Sequence, residues 1–233
     1  MSITKEDLFL ARSEGRPMRQ ADLRDLDLRG ADLSGMDLTE ADLRGARLDR
    51  AVLRGTILQG SQVERASFEL ALMEGADARS LHGEGSNFAH AWLVRINLMA
   101  AYLPGAVFDG ATMNEAQLEG AHVPGGAFRS SDLSEATLDA ADLTRCDLTS
   151  AILKRATLRR TILRSLQAPD ADFLGSAWTE VIASNGNFLG ALFEEAEILR
   201  SDFQGADLRG SGVSASRFPG CDFRGALFLP GKA

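Results

Sequence analysis

What the sequence has little of sets the first limits. Two cysteines, three histidines, one tyrosine and two tryptophans stand among 233 residues. Two thiols are too few for a disulfide framework. The histidines (His82, His90 and His122) have no acid or thiol recurring beside them in ligand spacing, so no metal centre is expected. No apolar run approaches the ~18 residues that a membrane span needs. The stretch from Met1 to Asp7 lacks a basic region followed by an apolar one, so no secretory signal is predicted and a cytoplasmic, bacterial-type protein is expected. A net charge of −8 is the wrong sign for coating nucleic acid. No glycine cluster has the strand–loop–helix setting of a phosphate cradle. No serine has a histidine and an acid placed to activate it.

What is present is a repeat. Stepping by five from Ala21, 42 pentads reach Pro230 without a shift of frame. The third residue of the pentad is Leu or Phe in 31 of them, and the first is Ala, Ser, Thr, Cys or Gly in 36. Of the 12 phenylalanines, 11 occupy the third position, leaving only Phe9 outside the array. Such placement reflects a geometric constraint that recurs every five residues.

A period of five is neither the 3.6 of a helix face nor the 2.0 of a half-buried strand. It fits a short extended piece that points positions 1 and 3 inward, followed by a corner at positions 4 and 5. Position 5 is glycine in 17 pentads, as a corner needing positive φ favours. Right-angle corners close a coil after about four pentads, or ~20 residues. Coils stacked at the ~4.8 Å strand spacing make about ten layers and a rod on the order of 50 Å long.

Runs such as Ala31-Asp32-Leu33-Ser34-Gly35, Ala41-Asp42-Leu43-Arg44-Gly45, Ala141-Asp142-Leu143-Thr144-Arg145 and Ala206-Asp207-Leu208-Arg209-Gly210 carry a recognisable signature. They resemble the Ala-(Asp/Asn)-Leu-X-X unit of pentapeptide-repeat proteins. The resemblance implies an all-β fold, a right-handed quadrilateral β-helix. It implies no single function, because members share the rod and differ in what binds it. A short N-terminal helix before Leu-Asp-Leu-rich pentads is similar to members associated with type VI secretion, thought to be accessory or loading factors. Other members resemble duplex DNA, bind DNA gyrase and confer quinolone resistance.

Within this frame, residues 1–20 are expected to form a capping helix and lead-in, residues 21–230 the β-helix and residues 231–233 a tail. The helix is predicted over Lys5–Glu14, with Thr4 as its N-cap and Gly15 and Pro17 as its stop. Leu8, Phe9, Leu10 and Ala11 would cover the open first coil. Third-position residues twenty apart should stack, which puts Phe68, Phe88, Phe108 and Phe128 in one aromatic ladder. Asp at the second position, as in Asp22 and Asp27, should accept backbone N–H bonds at the corners.

Four pentads have a small centre, at Ala78, Gly83, Ala168 and Ala183. Leu81, Leu166 and Val181 stand where a small residue is usual, so a volume-conserving exchange is predicted, with an extruded loop as the rival reading. Cys146 and Cys221 are expected to be free, buried and inert. Trp178 is expected in the core. Trp92 and Tyr102 are expected outward or at an edge, on opposite faces of the rod.

Charge is unevenly placed. Residues 101–140 sum to −5, through Asp109, Glu115, Glu119, Asp132, Glu135 and Asp139, and residues 141–170 to +3. The second segment carries a basic belt of Arg145, Lys154, Arg155, Arg159, Arg160 and Arg164. At the other end, Phe218, Phe223, Leu227, Phe228 and Leu229 form a nearly bare last coil, a candidate interface for a second copy or another protein. A convex rod offers no deep pocket and its carboxylates lack the burial that tunes an acid–base pair, so no enzyme and no cofactor are expected. The expected function is a non-catalytic protein-interaction scaffold or adaptor, with a secretion-accessory role as one form of it. The alternative is a DNA mimic acting on gyrase, which the basic belt and arginines such as Arg24, Arg29 and Arg44 disfavour. Direct nucleic-acid binding is not expected.

Overall fold

The structure is a computed structural model and describes residues 3–228. One helix, α1 (Lys5–Ser13), precedes a long array of parallel coils. Thr4 caps α1: its hydroxyl accepts the Asp7 N–H, and the Asp7 carboxylate accepts the Thr4 N–H at 2.8 Å. This reciprocal pair satisfies two otherwise orphaned donors. At the far end Gly15 adopts a φ of +63° and donates to the Arg12 carbonyl, and Arg16 donates to that of Ala11, a paired closure that stops the helix. Of the four apolar residues expected to cover the first coil, only Leu8 and Ala11 are buried, while Phe9 and Leu10 face solvent. The reason is helical spacing: residues three apart share a face, and Phe9 and Leu10 fall between them. Arg12 adds a 2.6 Å ion pair to Asp32 on the array.

Along the array, each second-position residue bridges the one twenty positions on, from Asp22↔Asp42 through to Asp207↔Leu227, always in parallel. One coil therefore takes four pentads. Two of the pairings lengthen, giving three short strands, β1 (Thr157–Arg159), β2 (Ala177–Thr179) and β3 (Glu197–Leu199), stacked in that order. Coil-type hydrogen bonding already begins at Met18, which donates to the Asp37 carbonyl at 2.8 Å.

The corners explain the period. Every fifth residue from Gln20 to Gly225 has a positive φ, between 47° and 71°. The following residue's N–H closes a turn onto the third-position carbonyl, as Ala31 does to Leu28 at 3.0 Å. A single positive φ at the second central residue marks a type II turn, whose first central position suits proline. Pro104, Pro124, Pro169 and Pro219 all occupy that place. Residues other than glycine hold 25 of these corners, and none of them is β-branched, the side-chain class for which the left-handed region is most strained. Gly55 isolates this effect, because a Cβ there would meet nothing within 4 Å. Gly55→Val should cost about 1–2 kcal/mol of backbone strain alone. Chemical denaturation checks it, and a stability unchanged within error would show that the corner relaxes.

The interior is filled by positions 1 and 3, nearly all fully buried. Phe68, Phe88, Phe108 and Phe128 stack with centroids 4.8, 5.0 and 4.8 Å apart, as the twenty-residue spacing predicts. A second aromatic cluster is not legible in the columns. Trp178, fully buried, packs against Phe173, Phe188, Phe193 and Phe203, and donates its indole N–H to Ser176 Oγ at 2.8 Å. The exchange of bulk is also present. Leu81, Leu166 and Val181 are buried while Ala78, Ala168 and Ala183 stay inside, and the bridges run through both segments without an extruded loop. Polar first-position residues find backbone acceptors: the hydroxyls of Thr56, Ser61 and Thr161 donate to third-position carbonyls 23 residues earlier, at 2.8–2.9 Å, and those of Ser86 and Ser131 to the third-position carbonyl three residues earlier, at 2.8 and 2.7 Å. Ser and Thr can thus replace Ala on the inside without an orphaned donor.

Candidate interaction surfaces

Outward chemistry on this rod is set by the second position and the two corner residues. Where Asp stands second and Arg fourth, the two close on each other. Arg24 donates Nε and Nη2 to Asp22 at 2.8 and 2.7 Å. The same arrangement recurs at Asp27–Arg29, Asp42–Arg44, Asp77–Arg79, Asp207–Arg209 and Asp222–Arg224. The Asp also accepts the backbone N–H of the fourth residue, as expected: Ser34 to Asp32 at 3.0 Å and Thr39 to Asp37 at 3.1 Å are examples. The guanidinium of Arg24 and its N–H hold the Asp22 carboxyl at about 2. Asp27, Asp42, Asp207 and Asp222 are lowered by the same cause, hydrogen bonds from the arginine two residues on.

A depressed folded pKa contributes stability above the unfolded carboxyl value, and that contribution is lost as pH falls through the folded value. Thermal stability should therefore hold from pH 7 to about 5 and fall steadily from about 4 towards 2. A melting temperature flat down to pH 2.5 would mean that these pairs are unpopulated in solution.

The basic belt is divided. Lys154 pairs with Asp172 at 3.1 Å, Arg155 with Glu135 at 3.1 Å and Arg159 with Asp139 at 3.9 Å. Among the described residues Arg145, Arg160 and Arg164 have no carboxylate in ion-pair range, and all three are exposed. In the last coil Phe218 and Phe223 are half-buried, whereas Leu227 and Phe228 are 51% and 54% exposed. Leu229, the fifth member of that cluster, lies outside the described residues. The amides of Val213, Phe218 and Phe223 donate to no backbone carbonyl among the described residues, although third-position amides in earlier coils donate one coil onward.

Cys146 is buried and donates its thiol to the Val123 carbonyl at 3.0 Å, and burial pushes its pKa up to about 12. Cys221 is half-buried and also raised by burial, so neither thiol is an activated nucleophile. Among the described residues no three metal-ligating side chains converge. No helix of the described residues is long and apolar enough to cross a membrane.

Twenty-residue spacing puts His82 and His122 in one outward column, two coils apart, and Tyr102 is the member the residue-by-residue reading did not place between them. The Tyr102 and His122 rings stack at 5.1 Å and 14°, and the His82 ring lies 6.3 Å from Tyr102. His122 Nδ1 is 3.2 Å from Asp142 Oδ2 in the next coil. Trp92, 45% exposed, stands in a different column between Leu72 and Thr112.

A rod of pentads with a packed interior and no reactive cluster among its described residues defines a class of repeat protein. The family model for pentapeptide repeats matches eight copies, over residues 18–55, 84–122, 128–164 and 179–211. The chain belongs to the pentapeptide-repeat family. Its fold is similar to that of HetL, a pentapeptide-repeat protein involved in heterocyst differentiation regulation in the cyanobacterium Nostoc sp. strain PCC 7120, at 22% identity, a TM-score of 0.54 and 97% coverage of both chains. This likeness supports a right-handed β-helix. A trypsin-treated variant of QnrB1, a plasmid-mediated fluoroquinolone resistance protein, aligns at 18% identity and a TM-score of 0.46, over 81% of this chain and 89% of its own. A thylakoid-lumen pentapeptide-repeat protein of Arabidopsis thaliana aligns at 29% identity and a TM-score of 0.24, over 48% of this chain and 71% of its own. Among curated proteins no sequence matches.

Proposed function

We propose that this chain is a non-catalytic cytoplasmic adaptor, a four-sided rod covered at its start by α1 and engaged by another protein through its outside. The observation that carries this reading is the last described coil, where Leu227 and Phe228 are more than half exposed beside amides that meet no backbone carbonyl among the described residues. Apolar side chains beside such strand donors suit either a second copy meeting end to end or the edge of a partner's sheet. A second copy is the simplest occupant, since a two-fold contact uses the same patch twice. Light scattering of the full chain should give a dimer, and Leu227→Asp with Phe228→Asp should give a monomer. A wild-type chain that is monomeric at all concentrations would remove the second copy and leave a different protein as the occupant.

The DNA-mimic reading asks for a continuous negative stripe along the rod. Here arginines two residues on neutralise six of the second-position carboxylates, Asp22, Asp27, Asp42, Asp77, Asp207 and Asp222, which breaks such a stripe at both ends of the rod. Gyrase supercoiling should accordingly proceed unchanged with the protein present, and inhibition at stoichiometric amounts would favour the mimic. A role as accessory factor in a secretion apparatus is one form of the adaptor reading. Capture of a discrete secretion component by the tagged full chain tests it.

A further inference from the structure

The face that carries His82, Tyr102 and His122 continues through Asp142 to Ile162 and Ile182, each bridged to the next. Three observations bear on this face. Tyr102, 47% exposed, and half-buried Ile162 and Ile182 give it apolar surface on either side of His122 and Asp142. Pro104 and Pro124 form its corners on one side, and exposed Met99 lies on the other. Finally, the unpaired arginines of the belt are gathered along its edges. Arg145 and Arg164 occupy adjacent coils on one edge, where the Arg145 N–H donates to the Arg164 carbonyl at 2.9 Å, and Arg160 stands across the face on the other. Tyr, Met and Arg are the residue types enriched where proteins bind proteins.

Resting on the adaptor reading above, we propose that this face, from Tyr102 to Ile182, is a docking surface for an extended acidic polypeptide segment whose carboxylates meet Arg145, Arg160 and Arg164 while its apolar side chains lie on Tyr102, Ile162 and Ile182. Charge complementarity selects the occupant. Three arginines without carboxylate partners keep their full positive field, and an unpaired guanidinium fork favours carboxylate. Single-stranded nucleic acid is the weaker fit, because base stacking needs open ring faces. The faces of Tyr102 and His122 already cover each other.

The test uses fluorescence anisotropy on the full chain with three fluorescein-labelled probes: a twelve-residue peptide alternating Glu and Leu, its Lys-Leu counterpart, and a twelve-nucleotide oligothymidine. The Glu-Leu peptide should bind, and the other two should bind at least tenfold more weakly. Arg160→Glu with Arg164→Glu should weaken the Glu-Leu peptide tenfold or more, and Tyr102→Ala severalfold. Arg47→Glu with Arg50→Glu makes the same change of charge elsewhere on the rod and should leave binding within twofold. Equal loss in the two double variants, no binding of the acidic peptide, or preference for the oligonucleotide would each overturn the assignment. Failure here is separable from failure of the adaptor reading. If Arg160→Glu/Arg164→Glu still captures the same protein as the wild type, only this face is wrong. If neither captures any protein, the adaptor reading falls as well.

Discussion

Phe108→Ala should lower the unfolding free energy by about 3–5 kcal/mol. Phe108 is fully buried and stacked on both sides, at 5.0 Å and 4° from Phe88 and at 4.8 Å and 11° from Phe128. Each aromatic stack adds ~0.5–1.5 kcal/mol beyond simple burial. The vacated space resists collapse, because the coils on either side are tied by backbone hydrogen bonds of 2.6 Å (Phe108 to Ala127) and 2.7 Å (Phe88 to Val107). For a chain of this size such a loss shifts the thermal midpoint by on the order of 10 °C. Phe9→Ala is the control. The same side chain is removed from α1 at a place where it is 42% exposed, so the cost should stay under about 1 kcal/mol. Equal costs at the two positions would mean that burial in the interior ladder contributes nothing.

Leu81→Ala should cost about 2–5 kcal/mol, as much as a truncation at any third position. The first place of a pentad is normally small, so a solvent-facing Leu81 would cost almost nothing. In the structure it is fully buried, and the compensating reduction lies two residues on. A Cβ added at Gly83 would sit 2.7 Å from Val63 Cγ2 and 2.9 Å from both Leu103 Cδ2 and Ser86 Oγ. Neighbouring layers have closed over the missing centre, and Leu81 supplies the bulk from the adjacent place. Gly83→Leu should therefore also destabilise, by about 1–3 kcal/mol of overpacking, even though leucine is the commonest third-position residue. If Gly83→Leu were neutral, the coil would have room at its centre and the exchange of volume would be wrong.

Much of this architecture could be read from spacing. The five-residue frame, the twenty-residue coil, the Phe68–Phe128 ladder, the buried Leu81 and the capping of α1 by Thr4 all follow from periods and from residues with narrow conformational roles. The left-handed corner was half legible: glycine marked 17 fifth positions, and the absence of Val, Ile and Thr from the remaining described ones was a second signal. The Asp–Arg clamps could have been found from Asp-Leu-Arg triplets such as Asp22-Leu23-Arg24. Other features depend on contacts between columns, which no single period encodes. Trp178 meets Phe188 and Phe203, neither of them twenty residues away, across the interior. The candidate surfaces are the least legible. A charge sum put six basic residues in one belt; twenty-residue spacing would have matched Arg155 to Glu135 and Arg159 to Asp139, but not Lys154 to Asp172, eighteen residues on across a corner.

Duplicating residues 101–140, two whole coils in frame, and recording small-angle scattering probes the stacking of one coil on the next. The rod should lengthen by about 10 Å, two layers at the ~4.8 Å spacing, with its mass per unit length and cross-sectional radius unchanged. A particle that grows thicker at constant length, or a chain that loses its cooperative melting, would contradict a polypeptide wound layer upon layer around its small and bulky residues.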